Sequence, residues 1–154
     1  MFGNIYKGKK ILITGDTGFK GSWLSIWLKQ LGAEVFGVSN CEVSVPSNFS
    51  VSEVSKVIDH FQLDIRDENA LKELVKTIQP DFVFHLAAQA LVRSSYENPL
   101  ETITTNAIGS ANLLDALRQL NKKVVAIMIT SDKAYDNVEW VWGYRETDRL
   151  GGKD

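Results

Sequence analysis

Lys10-Ile-Leu-Ile-Thr-Gly15-Asp16-Thr17-Gly18-Phe19-Lys20-Gly21-Ser22 decides the fold. A short β-branched run at residues 10–14 reads as a strand. Glycines follow at 15, 18 and 21. Trp23, Leu24, Ile26, Trp27, Leu28 and Leu31 then recur at helical spacing, so residues 22–31 read as a helix that Gly32 stops. Glycines at such a turn let the backbone bend sharply and approach a pyrophosphate closely. The helix behind it offers unpaired N–H groups and a positive dipole end. A strand-to-helix turn without a ligand has the same spacing. Its place in the first unit of an alternating α/β pattern favours the dinucleotide reading, with Gly15, Thr17, Gly18, Phe19, Lys20 and Gly21 as the contacts. A P-loop is excluded, because no Gly-Lys-Ser/Thr occurs.

Working outward, the alternation continues. Residues 34–38 read as a second strand, and 39–55, with Pro46 among serines and asparagines, as a loop with room for a short helix. A third strand covers 57–63, a helix opens at Asp67 and runs to Ile78, and Pro80 breaks it. Residues 81–85 form a fourth strand. A long helical region follows, interrupted at Asn98-Pro99 and resuming over 100–120, before a fifth strand at 123–129, apolar on both faces. Continuous apolar strands imply a sheet covered on both sides. Strands alternating with helices imply parallel pairing with right-handed crossovers. The expected object is an α/β, doubly wound parallel sheet of the Rossmann type.

Composition agrees. The 154 residues are 44% hydrophobic and 23% charged, the range of a globular domain. A net charge of -2 gives no bulk footprint for nucleic acid. No apolar run approaches the roughly 20 residues that span a bilayer. The single Cys41 excludes an internal disulfide framework, and a reducing cytoplasm is the simplest compartment. His60 and His85 fall on strands with no acid or cysteine spaced for a metal, so no metal is expected. Trp23 and Trp27, four apart on one helix, are expected in the core. Trp140 and Trp142 alternate as on an extended segment, either covering a site or packing in the core.

The glycine spacing, with Gly-Phe-x-Gly inside it, resembles the extended branch of the short-chain dehydrogenase/reductase superfamily. Further motifs carry the resemblance: Asp64-Ile65-Arg66-Asp67 after the third strand, His85-Leu86-Ala87-Ala88-Gln89 at the end of the fourth, and Thr105-Asn106-Ala-Ile-Gly109. The resemblance implies that Asp64 and Ile65 hold an adenine ring, while Asp67 caps the next helix. It implies that Leu86, Ala87, Ala88 and Gln89 pass under ribose and nicotinamide, and that Asn106 is the structural asparagine. Thr130 completes the cofactor set. The acid usually found about 20 residues past the glycines is missing. Ser39 and Asn40 stand there, able to hydrogen-bond a ribose but not to repel a 2′-phosphate. NAD is the cofactor the resemblance implies, and these side chains reject no NADP.

Thr130-Ser131-Asp132-Lys133 ends the fifth strand, where α/β active sites form. As a motif alone it equally describes a solvated turn. Ser-Asp-Lys there resembles the CDP-glucose 4,6-dehydratases, as do Asn137-Val-Glu139-Trp140-Val-Trp142-Gly143-Tyr144-Arg145-Glu146 and Gln89-Ala-Leu-Val92-Arg93-Ser-Ser95-Tyr96. That resemblance implies an internal redox dehydration of a nucleotide sugar. Hydride leaves C4 for NAD, water is eliminated from C6, and the hydride returns to C6. Ser131 would bond the C4 oxygen, Asp132 would protonate the leaving hydroxyl, and Lys133 would act as base at C5 or stabilise an enolate. Asp132 must then stay protonated, which requires burial or a neighbouring carboxylate. Gln89, Arg93 and Tyr96 would touch substrate, with a surface salt bridge as the alternative for Arg93.

The superfamily's Tyr-x-x-x-Lys pair is expected soon after Gly151-Gly152-Lys153-Asp154; in this sequence only Tyr6 and Lys10 have that spacing, before the first strand. The chain therefore reads as the N-terminal part of a longer dehydratase, without the C-terminal substrate-binding portion and inactive alone. The full-length form would be a homodimer. A non-catalytic NAD(P)-binding sensor and an epimerase or reductase of the same branch are the alternatives.

Overall fold

The computed structural model describes residues 2–42 and 44–152; Lys153 and Asp154, where the tyrosine–lysine pair is expected to follow, lie outside the described residues. Five strands form one sheet: β1 (Lys10–Thr14), β2 (Glu34–Ser39), β3 (Asp59–Gln62), β4 (Phe82–His85) and β5 (Val125–Met128). Their order is β3-β2-β1-β4-β5, and every pair is parallel. This is the doubly wound sheet the alternation implies. The helices are α1 (Phe19–Gln30), α2 (Asn48–Val51), α3 (Glu68–Ile78), α4 (Val92–Glu97), α5 (Pro99–Ile103) and α6 (Ser110–Arg118), with a π-helical turn at Thr104–Gly109. None is long and apolar enough to cross a membrane.

Period-two alternation along β1 explains the two-sided core. Leu12 faces one layer with Val38, Val83, Leu71 and Val75 of α3, and Leu113 of α6. Ile11 and Ile13 face the other, with Val35, Leu28 of α1, Phe49 and Val54. Each such side chain withdrawn from water contributes about 1.5–3 kcal/mol. Asp67 caps α3 by accepting the Ala70 N–H at 3.0 Å, so one residue of the Asp64–Asp67 motif is structural, as its position suggests.

Three expectations need correction. Helix α1 begins at Phe19, three residues early, and buries Gly21, Ser22, Ser25 and Leu28. Trp23 and Trp27 are 54% and 45% exposed rather than in the core. The face of α1 set against the sheet must be small, because a Cβ at Gly21 would collide with the Gly15 carbonyl oxygen. The indoles are thereby turned outward, where Phe2 packs edge-on against Trp27 at 5.5 Å. Strands β3 and β5 are shorter than expected. Each is paired on one side only, so Val125 and Ala126 of β5 stay exposed despite their apolar character. The long helical region does break at Asn98-Pro99, with Pro99 opening α5, where its missing N–H costs nothing.

Candidate functional site

All five strands are parallel, so their carboxyl ends share one edge. The chain leaves β1 towards β2 on one side, while β4 pairs on the other, which opens a crevice there. The glycine-rich turn, the segment after β4 and the Thr130–Lys133 stretch after β5 all emerge at this edge.

The turn is built for close approach. Gly15 has φ +77°, and a Cβ on it would meet the Ala87 backbone nitrogen at 2.8 Å. The β1 turn and the β4 loop therefore touch backbone to backbone. Gly18 is the N-cap of α1, and no side chain caps this end. The first N–H groups of the helix are thus left for an anion. Phe19 and Lys20 are exposed beside them. Thr17 is buried, its hydroxyl donating to the Cys41 carbonyl at 2.7 Å. This cradle fits a dinucleotide pyrophosphate.

Asp16, which sequence reasoning passed over, is the buried acid of the site, with no exposed surface. Its Oδ1 accepts the Ser39 hydroxyl at 2.8 Å, and its Oδ2 pairs with His60 Nδ1 at 2.7 Å. His60 thus has an acidic partner after all, brought from 44 positions away. One signal was present: Gly37 interrupts a strand of larger residues, and a glycine inside a strand marks close approach by another group. A Cβ at Gly37 would land on the Asp16 carboxyl. Ser39 is accordingly buried and turned towards Asp16, whereas Asn40 is exposed. Among the described residues no three metal-ligating side chains cluster.

Asp64 lies two residues past the end of β3, and it is already paired. The Arg66 guanidinium bonds it at 2.6 Å and holds its carboxyl below the usual range. Ile65 packs its side chain on Gly109, and its carbonyl accepts from Asn112 at 3.1 Å. Its side chain is thus part of the core.

The β4 loop is wired from below. Leu86 N–H donates to the Thr14 carbonyl at 3.0 Å, and Ala87 N–H to the Thr14 hydroxyl at 3.2 Å. Ala88 is exposed. Asn106, on the π-helical turn, holds Gln89 in both directions: its Oδ1 accepts the Gln89 N–H at 2.8 Å and its Nδ2 donates to the Gln89 carbonyl at 2.9 Å. The Gln89 side chain turns back to Thr102 and Leu91. His85 is buried between the Thr14 hydroxyl at 2.6 Å and the Ser110 hydroxyl at 2.8 Å. Burial alone pushes its pKa down.

Thr130, Ser131, Asp132 and Lys133 are all exposed. The Ser131 hydroxyl donates to Asp132 at 3.3 Å and accepts the Lys133 N–H at 3.2 Å. The burial that a protonated Asp132 requires is not found here. Residues 134–151 fold back on this turn, through Gly151 N–H to the Ala134 carbonyl at 3.0 Å. Trp140 and Trp142 are exposed on that segment, Trp140 lying 5.5 Å from the Tyr144 ring. Arg93 makes an i,i+4 ion pair with Glu97 at 2.9 Å, and Tyr96 is exposed on the same helix.

Comparison with known proteins follows the same outline. Residues 12–152 match the profile of the GDP-mannose 4,6 dehydratase family. A CDP-glucose 4,6-dehydratase of Salmonella typhimurium is 46% identical over 151 residues, 98% of this chain and 42% of that protein. A GDP-mannose 4,6-dehydratase of Yersinia enterocolitica is 38% identical over 71% of this chain and 31% of its own length. Among solved structures, the UDP-glucose 4-epimerase of Thermus thermophilus in complex with NAD superposes with TM-score 0.81 and 30% identity, over 94% of this chain and 45% of that one. The chain thus spans less than half the length of the relatives it matches.

Proposed function

Because the chain belongs to the GDP-mannose 4,6 dehydratase family, we propose that it is the dinucleotide half of a nucleotide-sugar 4,6-dehydratase that binds NAD and acts on CDP-glucose. One observation carries this reading. Ser131, Asp132 and Lys133 leave β5 at the same edge as the uncapped N-terminus of α1 and the latched β4 loop. The 46% identity to a CDP-glucose 4,6-dehydratase supports the substrate.

The chemistry of each residue follows from its place. The backbone of Gly15–Gly21 and the start of α1 bind the pyrophosphate. Bound NAD would supply the acceptor for the C4 hydride and its return to C6. Ser131 orients the C4 oxygen. Asp132 gives its proton to the leaving C6 hydroxyl, and Lys133 takes the C5 proton or steadies the enolate. Asp132 is open to water here, and its acid role needs burial that the substrate and the remainder of the enzyme would bring. Arg93 and Tyr96 on α4 stand ready for the sugar nucleotide once Arg93 releases Glu97. Exposed Leu100, Ile103, Ile108 and Leu114 favour a homodimer through this helical face. A reducing compartment such as the cytoplasm suits the exposed, single Cys41.

Two measurements test the proposal. Calorimetric titration of the chain with NAD should give saturable binding, and the chain alone should form no 4-keto-6-deoxy sugar from CDP-glucose. In the complete enzyme, Asp132→Asn should abolish water elimination. An enzyme indifferent to that change is an epimerase or reductase, and this reading fails.

A further inference from the structure

We propose that Asp16 is the residue that makes this site choose NAD over NADP, acting as a positioning residue through Ser39. The inference rests on the dinucleotide reading above and deepens it. The end of β2 is where an adenosine ribose meets the sheet, and an acid there ordinarily accepts the ribose hydroxyls and repels a 2′-phosphate. In this chain that place holds Ser39. A free serine hydroxyl serves either ligand, since it both donates and accepts. Here it is not free. Its single proton points to Asp16 Oδ1 at 2.8 Å, and Asp16 is entirely buried, so no water competes for that bond. The second carboxylate oxygen is taken by His60 at 2.7 Å, which fixes the carboxyl plane. Gly37 leaves the space the carboxyl occupies. The Thr17 N–H, from the phosphate turn itself, reaches the same serine oxygen at 3.4 Å.

Only acceptor capacity therefore remains on Ser39. A ribose hydroxyl has a proton to offer it. A 2′-phosphate offers only oxygens and meets a lone pair instead of a donor. The missing acid is thus replaced by a relay: its carboxylate sits one layer down, in the glycine-rich turn, and sets the polarity of the serine above it.

The test is a pair of dissociation constants, for NAD and NADP, measured on the full chain by calorimetry, with thermal melting to confirm folding. Wild type should prefer NAD. Asp16→Ala frees the Ser39 proton and should shift the ratio towards NADP by about tenfold, the value of one charge-assisted hydrogen bond. Ser39→Ala, which leaves Asp16 and His60 paired and keeps the proposal testable if the first variant unfolds, should weaken NAD alone by a similar factor. Asp16→Ala placed on Ser39→Ala should then leave the ratio unmoved. A purely structural role would lower both affinities together. Equal losses for NAD and NADP in Ser39→Ala, or an unchanged ratio in a folded Asp16→Ala, overturn the role of Asp16 while NAD binding itself survives. A wild-type chain that binds neither dinucleotide overturns the cofactor reading and this inference with it.

Discussion

Replacing His85 with leucine probes the buried wiring beneath the β4 loop. His85 is 3% exposed and Thr14 not at all. The polarity of the chain of bonds can be worked out. Ser110 gives its hydroxyl proton to the Asn106 carbonyl at 2.6 Å. Nε2 of His85 must therefore donate to Ser110, which leaves Nδ1 bare to accept the Thr14 hydroxyl. Leucine is close in size but accepts nothing. The Thr14 proton is then stranded where water does not reach. Stranding a buried hydroxyl costs about 1–3 kcal/mol, and the lost bond to Ser110 about 1 kcal/mol more. Added apolar burial returns about 1 kcal/mol. The net loss is about 2 kcal/mol. At about 2–4 °C per kcal/mol for a chain of this size, Tm should fall by about 4–8 °C. Urea unfolding followed by circular dichroism should show a lower midpoint with an unchanged slope. Ser110→Ala on the same background should couple with it by about 1 kcal/mol, because the two residues share one bond. Stability within about 0.5 kcal/mol of wild type, below the range for a lost buried partner, would refute the reasoning.

Other outcomes follow from the same edge. Gly21→Ala drives a methyl into the Gly15 carbonyl, so it should abolish NAD binding by calorimetry and lower Tm, whereas a turn able to shift would leave both intact. Burial holds the His85 pKa below its ordinary 6.5; as pH falls through 6.5 the unfolded chain takes a proton the folded chain refuses, so stability should decline by up to about 1.4 kcal/mol per pH unit until the folded pKa is reached. His85→Leu should flatten that part of the profile. Asn106→Ala removes both bonds to Gln89 and should weaken NAD binding more than it lowers Tm, as measured by titration beside melting.

Much of this was legible in the sequence, and the exceptions share a cause. Strands β1 and β4 carry their own signal as short continuous apolar runs, and the glycine turn carries its own in spacing. The Asp67 cap is local as well, three residues from its partner. Asp16, His60 and Ser39 meet only once β1, β2 and β3 lie side by side, and no periodicity records a contact across 44 positions. The tryptophans of α1 misled for a related reason. Apolar character suggested the buried face, but the steric demand of the glycine turn selected glycine and serine for it. The Asp64–Arg66 pair is hidden for another reason: a sequence gives an arginine side chain no fixed direction, and in the fold it turns back on the carboxylate two residues before it.

The buried polar groups explain how such an edge stays ordered. Thr14, Asp16, Thr17, Ser22, Ser39 and His85 are all buried, and all lie at the carboxyl ends of β1, β2 and β4, in the turn between β1 and α1, or in the first turn of α1. Each has a hydrogen-bond partner there, so burial costs little, while a lost partner costs much. The loops that would hold the ligand are therefore tied to the sheet by the groups that stabilise it. Perturbing those groups should register in stability and in ligand binding together. A charge network elsewhere should not behave this way. Lys72 bridges Glu68 and Asp115 across α3 and α6, at 2.5 and 2.8 Å, in the helical layer and outside the buried cluster at the strand ends. Exposed pairs of this kind are screened by water and salt. Lys72→Met should leave NAD affinity unchanged and Tm nearly so. An effect on binding from that position would mean that the sheet does not insulate the site from the helical layer, and the account of the edge as a self-contained unit would fail.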